Sequence, residues 1–150
     1  MTTLQTGMPA PDFQSIDQDG NPISLSSFKG KKLVLYFYPK DDTPTCTTEA
    51  CNLRDNYERF LSMGYAVAGV SPDTAQSHKK FVTKYTLPFP LIEDHEKKIV
   101  NAYAVYGPKK FMGKDTIGVY RTTFVIDENG IIEKIITDVK SKEHADQILS

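Results

Sequence analysis

The sequence predicts an α/β fold in which a central mixed β-sheet is flanked by helices and preceded by a small N-terminal β-hairpin. Three observations carry that prediction. Unbroken apolar runs of strand length stand at Leu33–Tyr38 and Tyr65–Ser71, stripes of helical period follow each of them, and Glu128-Asn-Gly130 joins two late β-type runs. Strands buried on both faces alternate with helices in α/β folds, and a late hairpin adds antiparallel strands to the sheet.

In chain order, Asp19-Gly20 predicts a small hairpin between Phe13 and Leu25. Leu33-Val-Leu-Tyr-Phe-Tyr38, stopped by Pro39, reads as a buried central strand, and Tyr65-Ala-Val-Ala-Gly-Val-Ser71, stopped by Pro72, as a second. Between them Leu53, Tyr57, Phe60 and Leu61 follow the i, i+4, i+7, i+8 spacing of one helical face. Phe81, Val82 and Tyr85 repeat that stripe, with Ser71 or Asp73 as the expected N-cap. Phe89–Ile92 is a short third strand, and Ile99, Val100 and Tyr103 form a further stripe. Thr122–Asp127 and Ile131–Ile136 flank the Asn-Gly dipeptide, a strong hairpin signal. Ser141–Leu149 reads as a last helix capped by Ser141, with Ala145, Ile148 and Leu149 facing inward. There is no repeat, linker or low-complexity tract, so residues 1–150 are expected to form one domain.

Composition narrows the function. The 150 residues are 39% hydrophobic and 25% charged, enough for one real core. Lys plus Arg is 18 against 19 for Asp plus Glu, a net charge of -1, which leaves no strong field to draw nucleic acid or an acidic membrane. No basic cluster followed by an apolar stretch opens the chain, and no apolar run approaches the roughly 20 residues that span a bilayer. A cytoplasmic protein is expected, without nucleic-acid or membrane partners. The two cysteines, five positions apart, then point to redox chemistry or metal binding before a structural staple.

The informative stretch is Pro39-Lys-Asp-Asp-Thr-Pro-Thr-Cys-Thr-Thr-Glu-Ala-Cys-Asn-Leu-Arg54, which leaves the end of a central strand and enters a helix. Open α/β sheets place their chemistry at such strand ends. Thr43 is a fitting N-cap and Pro44 a fitting first helical residue, so Cys46 falls in the first turn. Free backbone N–H groups and the positive end of the helix dipole favour a thiolate there. Full ionisation gains roughly thirtyfold over a thiol of ordinary pKa at neutrality, and reduced intrinsic nucleophilicity cancels roughly tenfold of it. Further rate must come from groups that hold the substrate and stabilise the departing charge; Thr43 and a positioned arginine are candidates. If residues 46–51 are helical, the Cys46 and Cys51 Cα atoms stand ~8–9 Å apart. A disulfide needs about 7 Å, so the helix start must unwind before the two sulfurs join. The expected cycle is oxidation of Cys46 to a sulfenic acid, melting of the first turn, and condensation with Cys51.

Pro39-x-x-x-Thr43-x-x-Cys46 resembles the active-site signature of the peroxiredoxins. The longer Tyr-Pro-Lys-Asp-Asp-Thr-Pro-x-Cys-Thr-x-Glu-Ala-Cys is similar to the bacterioferritin-comigratory, or Q-type, subfamily of atypical two-cysteine enzymes. The likeness extends to Pro9-Ala-Pro-Asp-Phe13, Leu25–Lys31 and Arg121-x-Thr-Phe-Val-Ile-Asp127. The resemblance implies a thioredoxin-like fold and a thiol peroxidase that reduces hydrogen peroxide and organic hydroperoxides with no metal or organic cofactor. It also implies thioredoxin or a similar dithiol as reductant, and a monomer or weak homodimer. Carried over, Cys46 matches the peroxidatic cysteine, Cys51 the resolving cysteine, Thr43 the peroxide-binding threonine and Arg121 the arginine beside the thiolate. Pro39 matches the proline that shields the substrate pocket and Glu49 the acidic residue of the Q-type helix, with Tyr38 beside them. Spacing alone does not choose Arg121 over Arg54, and Arg121 also suits an ion pair with Asp127, Glu133 or Asp138. Many Q-type members have Gly where this chain has Thr45.

Two rival functions stand beside this one. A thiol–disulfide oxidoreductase expects Cys-x-x-Cys, whereas four residues intervene here. A binding or chaperone module of thioredoxin fold would use the cysteines as a redox switch. His78, His95 and His144 are scattered through lysine- and acid-rich segments, so each is expected in solvent and none as a metal ligand.

Overall fold

The computed structural model describes residues 2–150; Met1, the first residue of the expected domain, lies outside the described residues. The elements run β1 (Gln14–Ile16), β2 (Pro22–Ser24), β3 (Lys32–Phe37), α1 (Pro44–Asp55), α2 (Tyr57–Ser62), β4 (Tyr65–Ser71), α3 (Ala75–Tyr85) and β5 (Leu91–Glu93). They continue with α4 (Lys98–Ala102), β6 (Tyr106–Phe111), β7 (Lys114–Val119), β8 (Thr122–Ile126), β9 (Ile132–Ile136) and α5 (His144–Leu149). A five-stranded sheet of order β5-β4-β3-β8-β9 forms the centre, with β3 in the middle. β3 pairs parallel with β4 and antiparallel with β8, so the sheet is mixed, as expected. The N-terminal hairpin β1–β2 is present and turns at Gly20, whose φ of 79° suits glycine.

The period-2 alternation of β3 explains its continuous apolar run. Leu33, Leu35 and Phe37 point to one face of the sheet, where Ile99, Val100 and Tyr103 of the α4 region and Phe13 cover them. Val34 and Tyr36 point to the other, against Ala50 and Leu53 of α1, Phe60 of α2, Phe81 of α3 and Ile148 of α5. Cys46 belongs to this second face. Burial on both sides demands apolar residues at both parities, and that demand is the signal read from the sequence.

Several expectations change in detail. The stripe Leu53, Tyr57, Phe60 and Leu61 is not one helix: the chain breaks at Asn56 (φ -109°, ψ 11°), and α2 starts with a new phase. Phe60 is buried, whereas Leu61 is 50% exposed. α3 is capped by Thr74, whose side chain accepts from the Ser77 N–H, and not by Ser71 or Asp73. The last helix begins as a 3-10 turn at Ser141, one residue after the position of its cap. The third strand sits at Leu91–Glu93, later than Phe89–Ile92, because Pro90 has no N–H for the ladder. The hairpin β6–β7, turning at Met112 (φ 53°) and Gly113 (φ 78°), has no counterpart among the sequence-based elements.

Gly69 in β4 lies opposite Tyr36 in β3. A Cβ there would meet the Tyr36 ring at 2.8 Å and Leu91 at 2.9 Å. Tyr36 is stacked on Tyr38 at 5.4 Å and edge-on to Phe89 at 5.9 Å, so it has no free direction in which to retreat. Gly69→Ala is therefore expected to destabilise the fold by about 1–3 kcal/mol, as overpacked cores do. A lowered urea midpoint at unchanged slope would verify it; an unchanged midpoint would show that the ring yields freely.

Candidate active site

β3 delivers the chain to the site, and a buried polar network fixes the loop that follows. Tyr38 still donates its backbone N–H to Val70 O at 3.1 Å, then the chain leaves the sheet. The Asp41 N–H donates to Asp73 Oδ2 (2.8 Å). Its carboxylate accepts from the Tyr38 hydroxyl (2.5 Å) and the Ser77 hydroxyl (2.8 Å), and lies 2.7 Å from His78 Nδ1. His78 Nε2 faces the Ile92 carbonyl at 3.0 Å. Asp42 takes a left-handed φ of 57°, tolerable for a short polar side chain, and is tied to Lys84 and Tyr85. These contacts aim residue 43 at the start of α1.

Thr43 occupies the N-cap with extended backbone and Pro44 the first helical position, as expected. The Thr43 hydroxyl does not cap the helix: it donates to Lys40 O at 2.9 Å. Thr45 is exposed and lies within α1 without a positive φ, so the backbone there does not call for glycine. Cys46, 2% exposed, sits in the first turn. Its Sγ accepts from Arg121 Nη2 at 3.3 Å. Arg121 immediately precedes β8, and its Nη1 donates to Glu49 Oε1 at 2.7 Å. One guanidinium thus spans a sulfur and a carboxylate that lie one turn apart on α1. Burial alone would lower the Arg121 pKa, but Glu49 and Cys46 outweigh it and hold the group above its ordinary value. Arg54 is elsewhere, bonded to Asp55 and the Tyr85 carbonyl.

Glu49 is fully buried. Its desolvation outweighs the Arg121 charge and raises its pKa to about 7. Among the described residues Oε2 has no hydrogen-bond partner; His144 Nε2 is 3.5 Å away, beyond ordinary hydrogen-bond length. The Tyr36 hydroxyl is also buried without a partner among the described residues, and burial together with Glu49 raises its pKa well above the usual range.

A cavity of about 800 Å³ opens in front of Cys46. Pro39, Thr43 and Arg121 line it beside the cysteine, and the β6–β7 hairpin supplies the far wall through Lys109, Phe111 and Ile117. Lys109 Nζ donates to Val119 O at 2.7 Å, and burial, aided by the Arg121 charge, lowers its pKa. Two expected pocket residues do not reach this cavity. Tyr38 is buried with its hydroxyl committed to Asp41, and Glu49 lies behind Arg121. Cys51 is half-buried in the continuous helix α1; both cysteines are free thiols.

The histidine expectation fails for two of three residues. His78 and His144 are buried, while His95 is exposed. Both buried rings lie on apolar helical spacing: His78 is three residues before Phe81, and His144 four before Ile148. That phase was the available signal, outweighed by charged neighbours in sequence. Among the described residues, Asp41, Asp73 and His78 bring three potential metal ligands within 4.8 Å, but their atoms are engaged in the loop network.

Comparison with known proteins gives a consistent picture. Residues 6–135 match the model of the AhpC/TSA family. The chain is 45% identical over 147 residues to the peroxiredoxin Bcp of Bacillus subtilis, covering 98% of this chain and 94% of that protein. It is 39% identical over 150 residues to the peroxiredoxin Bcp of Escherichia coli K12, covering 100% and 96%. Among solved structures, peroxiredoxin Q of Xanthomonas campestris superposes with TM-score 0.87 at 33% identity, over 99% of this chain and 94% of that one. A cysteine-to-serine variant of PrxQ from Xylella fastidiosa gives TM-score 0.92 at 29% identity, over 99% and 95%.

The buried Glu49 makes stability depend on pH. Its pKa of about 7 in the fold exceeds the 4.5 of a free glutamate, so between those values the folded chain holds the extra proton. Its contribution is fully present below pH 4.5 and is lost as pH rises through 7, on the order of 3 kcal/mol in all. Urea unfolding from pH 5 to pH 8 is expected to show a fall that Glu49→Gln removes. Parallel curves for the two proteins would refute the assignment.

Proposed function

The chain belongs to the AhpC/TSA family, in its Bcp or Q-type peroxiredoxin branch, and from that premise we propose that Cys46 is the peroxidatic thiol and Cys51 the resolving one. The protein is a thiol peroxidase with hydroperoxides as substrates and a thioredoxin-type dithiol as reductant. The observation that carries the residue assignment is the Cys46 sulfur, in the first turn of α1 at the cavity wall, accepting from Arg121 at 3.3 Å.

In the proposed reaction the Cys46 thiolate attacks the terminal oxygen of the hydroperoxide. An S–O bond forms as the O–O bond breaks, sulfur is oxidised, and the leaving alkoxide takes a proton to become the alcohol, or water from hydrogen peroxide. Arg121 and the helix start offer donors where negative charge develops. Thr43 offers oxygen lone pairs to the peroxide O–H, and Pro39 shields the site. Cys46 is left as a sulfenic acid; the Cys51 thiol displaces its hydroxyl as water, forming the disulfide. Two electrons from the external dithiol restore both thiols. No cofactor takes part.

Within one chain, β3, α1 and the start of β8 assemble every group named, which supports a single domain of residues 1–150 working as a monomer or weak homodimer. No helix among the described residues is long and apolar enough to cross a membrane. Two free thiols in a redox role fit a reducing compartment, and the cytoplasm is the setting proposed.

Cys46→Ser is expected to abolish peroxide reduction, and Cys51→Ser to leave one turnover without regeneration by thioredoxin. Single-turnover peroxide consumption measures both, and a Cys46→Ser protein that still consumes peroxide would sink the proposal. Disulfide formation also requires motion. Both cysteines lie in unbroken α1, ~8–9 Å apart at Cα, against about 7 Å for a disulfide. Amide exchange is therefore expected to lose protection between Thr45 and about Leu53 in the oxidised protein, and to keep it beyond Tyr57. Unchanged protection in a sample carrying the disulfide by mass would exclude this local unwinding.

A further inference from the structure

α5 begins without a cap of its own: the flanking residue Glu143 makes no side-chain bond to the first turn. The first N–H groups of a helix have no partner within it, and Ala145 carries one of them. Asn52 of α1, 93 positions away, supplies the missing acceptor, its Oδ1 lying 2.8 Å from the Ala145 nitrogen. Its Nδ2 donates to Lys142 O at 2.9 Å, in the 3-10 turn Ser141–Glu143 that leads into α5. Both ends of one amide are thus used, and reversing it would set donor against donor and acceptor against acceptor. α5 itself is held from outside α1. Ala145 and Ile148 are buried in the core, and Lys134 Nζ of β9 donates to the oxygens of Gln147, Ile148 and Ser150 at 3.2, 3.3 and 3.1 Å. Asn52 follows Cys51 directly, in the segment that unwinds for the disulfide. In the helix its own N–H is paired four positions back, at Thr48 between the two cysteines. Melting that stretch removes the backbone support of Asn52 while its side chain stays tied to a fixed element.

We propose that Asn52 is a positioning residue for the resolving step: its two bonds to the start of α5 hold the Cys51 end of α1 helical, and they open before Cys51 reaches Cys46. The inference rests on Cys46 and Cys51 being the peroxidatic and resolving thiols. In that step the Cys51 sulfur displaces the hydroxyl of the Cys46 sulfenic acid, which leaves as water with the thiol proton. Oxidation of Cys46 weakens the charged tie to Arg121. The Asn52 amide, the Lys142 carbonyl and the Ala145 N–H are neutral, so their bonds are indifferent to the charge on the sulfur. That hold persists into the sulfenic acid state, and the disulfide forms only through the fraction of molecules in which it has opened. Removing it raises that fraction and with it the rate.

Asn52→Val in the full chain tests this. Valine has about the helix propensity of asparagine, so the substitution changes the two bonds and little else in α1. Reduced protein is mixed with enough hydrogen peroxide to make the first step fast, then quenched at intervals and analysed by mass. Loss of the Cys46 thiol and appearance of the disulfide are read separately. Cys46 oxidation is expected at the wild-type rate, because Asn52 does not line the cavity. The disulfide is expected to form about three- to tenfold faster, the effect of losing a hydrogen bond or two. A residue that only supported the fold would lower the urea midpoint and leave the disulfide rate alone. An unchanged or slower disulfide rate in folded Asn52→Val therefore overturns the proposal. Should Asn52→Val fail to fold, NMR of the wild type decides. On disulfide formation the Asn52 side-chain NH2 and Ala145 N–H signals are expected to move to solvent-bonded positions; signals that stay put overturn it. Peroxide consumption by the wild type with no Cys46–Cys51 disulfide by mass would overturn the Cys51 assignment and this inference with it, whereas the other failures leave that assignment standing.

Discussion

One half-buried guanidinium ties the site together. Arg121 reaches from the start of β8 to two residues of α1, giving one N–H to Glu49 Oε1 at 2.7 Å and another to Cys46 Sγ at 3.3 Å. A partly desolvated arginine is costly unless its donors are matched, and charge-assisted bonds of this kind are the strong ones. The arrangement makes the rest of the fold answerable for geometry. α1 must start where it does, β8 must lie beside β3, and the loop between β3 and α1 must not drift.

Each requirement has its own support. β8 is held by antiparallel pairing to β3 from Leu33↔Ile126 to Phe37↔Thr122, which fixes Arg121 one residue beyond the last pair. The loop is fixed by Asp41, whose N–H and both carboxylate oxygens are engaged by Asp73, Tyr38, Ser77 and His78. α1 is anchored along its inner face by Ala50 and Leu53, both fully buried. Asn52 adds a polar tie on the outer side, donating to Lys142 O and accepting from the Ala145 N–H. α5 is thereby joined to the same helix that carries both cysteines.

What the sequence reveals of this follows the strength of its physical signals. β3 and β4 were legible because double-sided burial forces continuous apolar runs, and the start of α1 because Thr43-Pro44 suits only a helix entry. The β6–β7 hairpin was not legible. Tyr106-Gly-Pro-Lys-Lys-Phe111 and Lys114-Asp-Thr-Ile-Gly-Val119 face solvent along most of both strands, so no alternation marks them, and Met112-Gly113 is a weaker turn signal than Asn-Gly. Arg121 needed the family likeness, because its partners are 72 and 75 positions away and nothing local distinguishes it from Arg54. His144 was misread by the same limit: Glu49 and Thr123 face it only after folding.

The two halves of the proposed cycle ask opposite things of the first turn of α1, and the Arg121 bridge reconciles them. Attack on peroxide needs the turn formed, with a negatively charged sulfur beside the guanidinium. Resolution needs it unwound, because Cys46 and Cys51 cannot join across an intact helix. Oxidation itself changes the balance. A thiolate accepting from arginine forms a charge-assisted bond of about 1.5–3 kcal/mol, and a neutral sulfenic acid gives up that charge. The tie weakens only after chemistry has occurred. Glu49, one turn along, then remains as the second hold on Arg121.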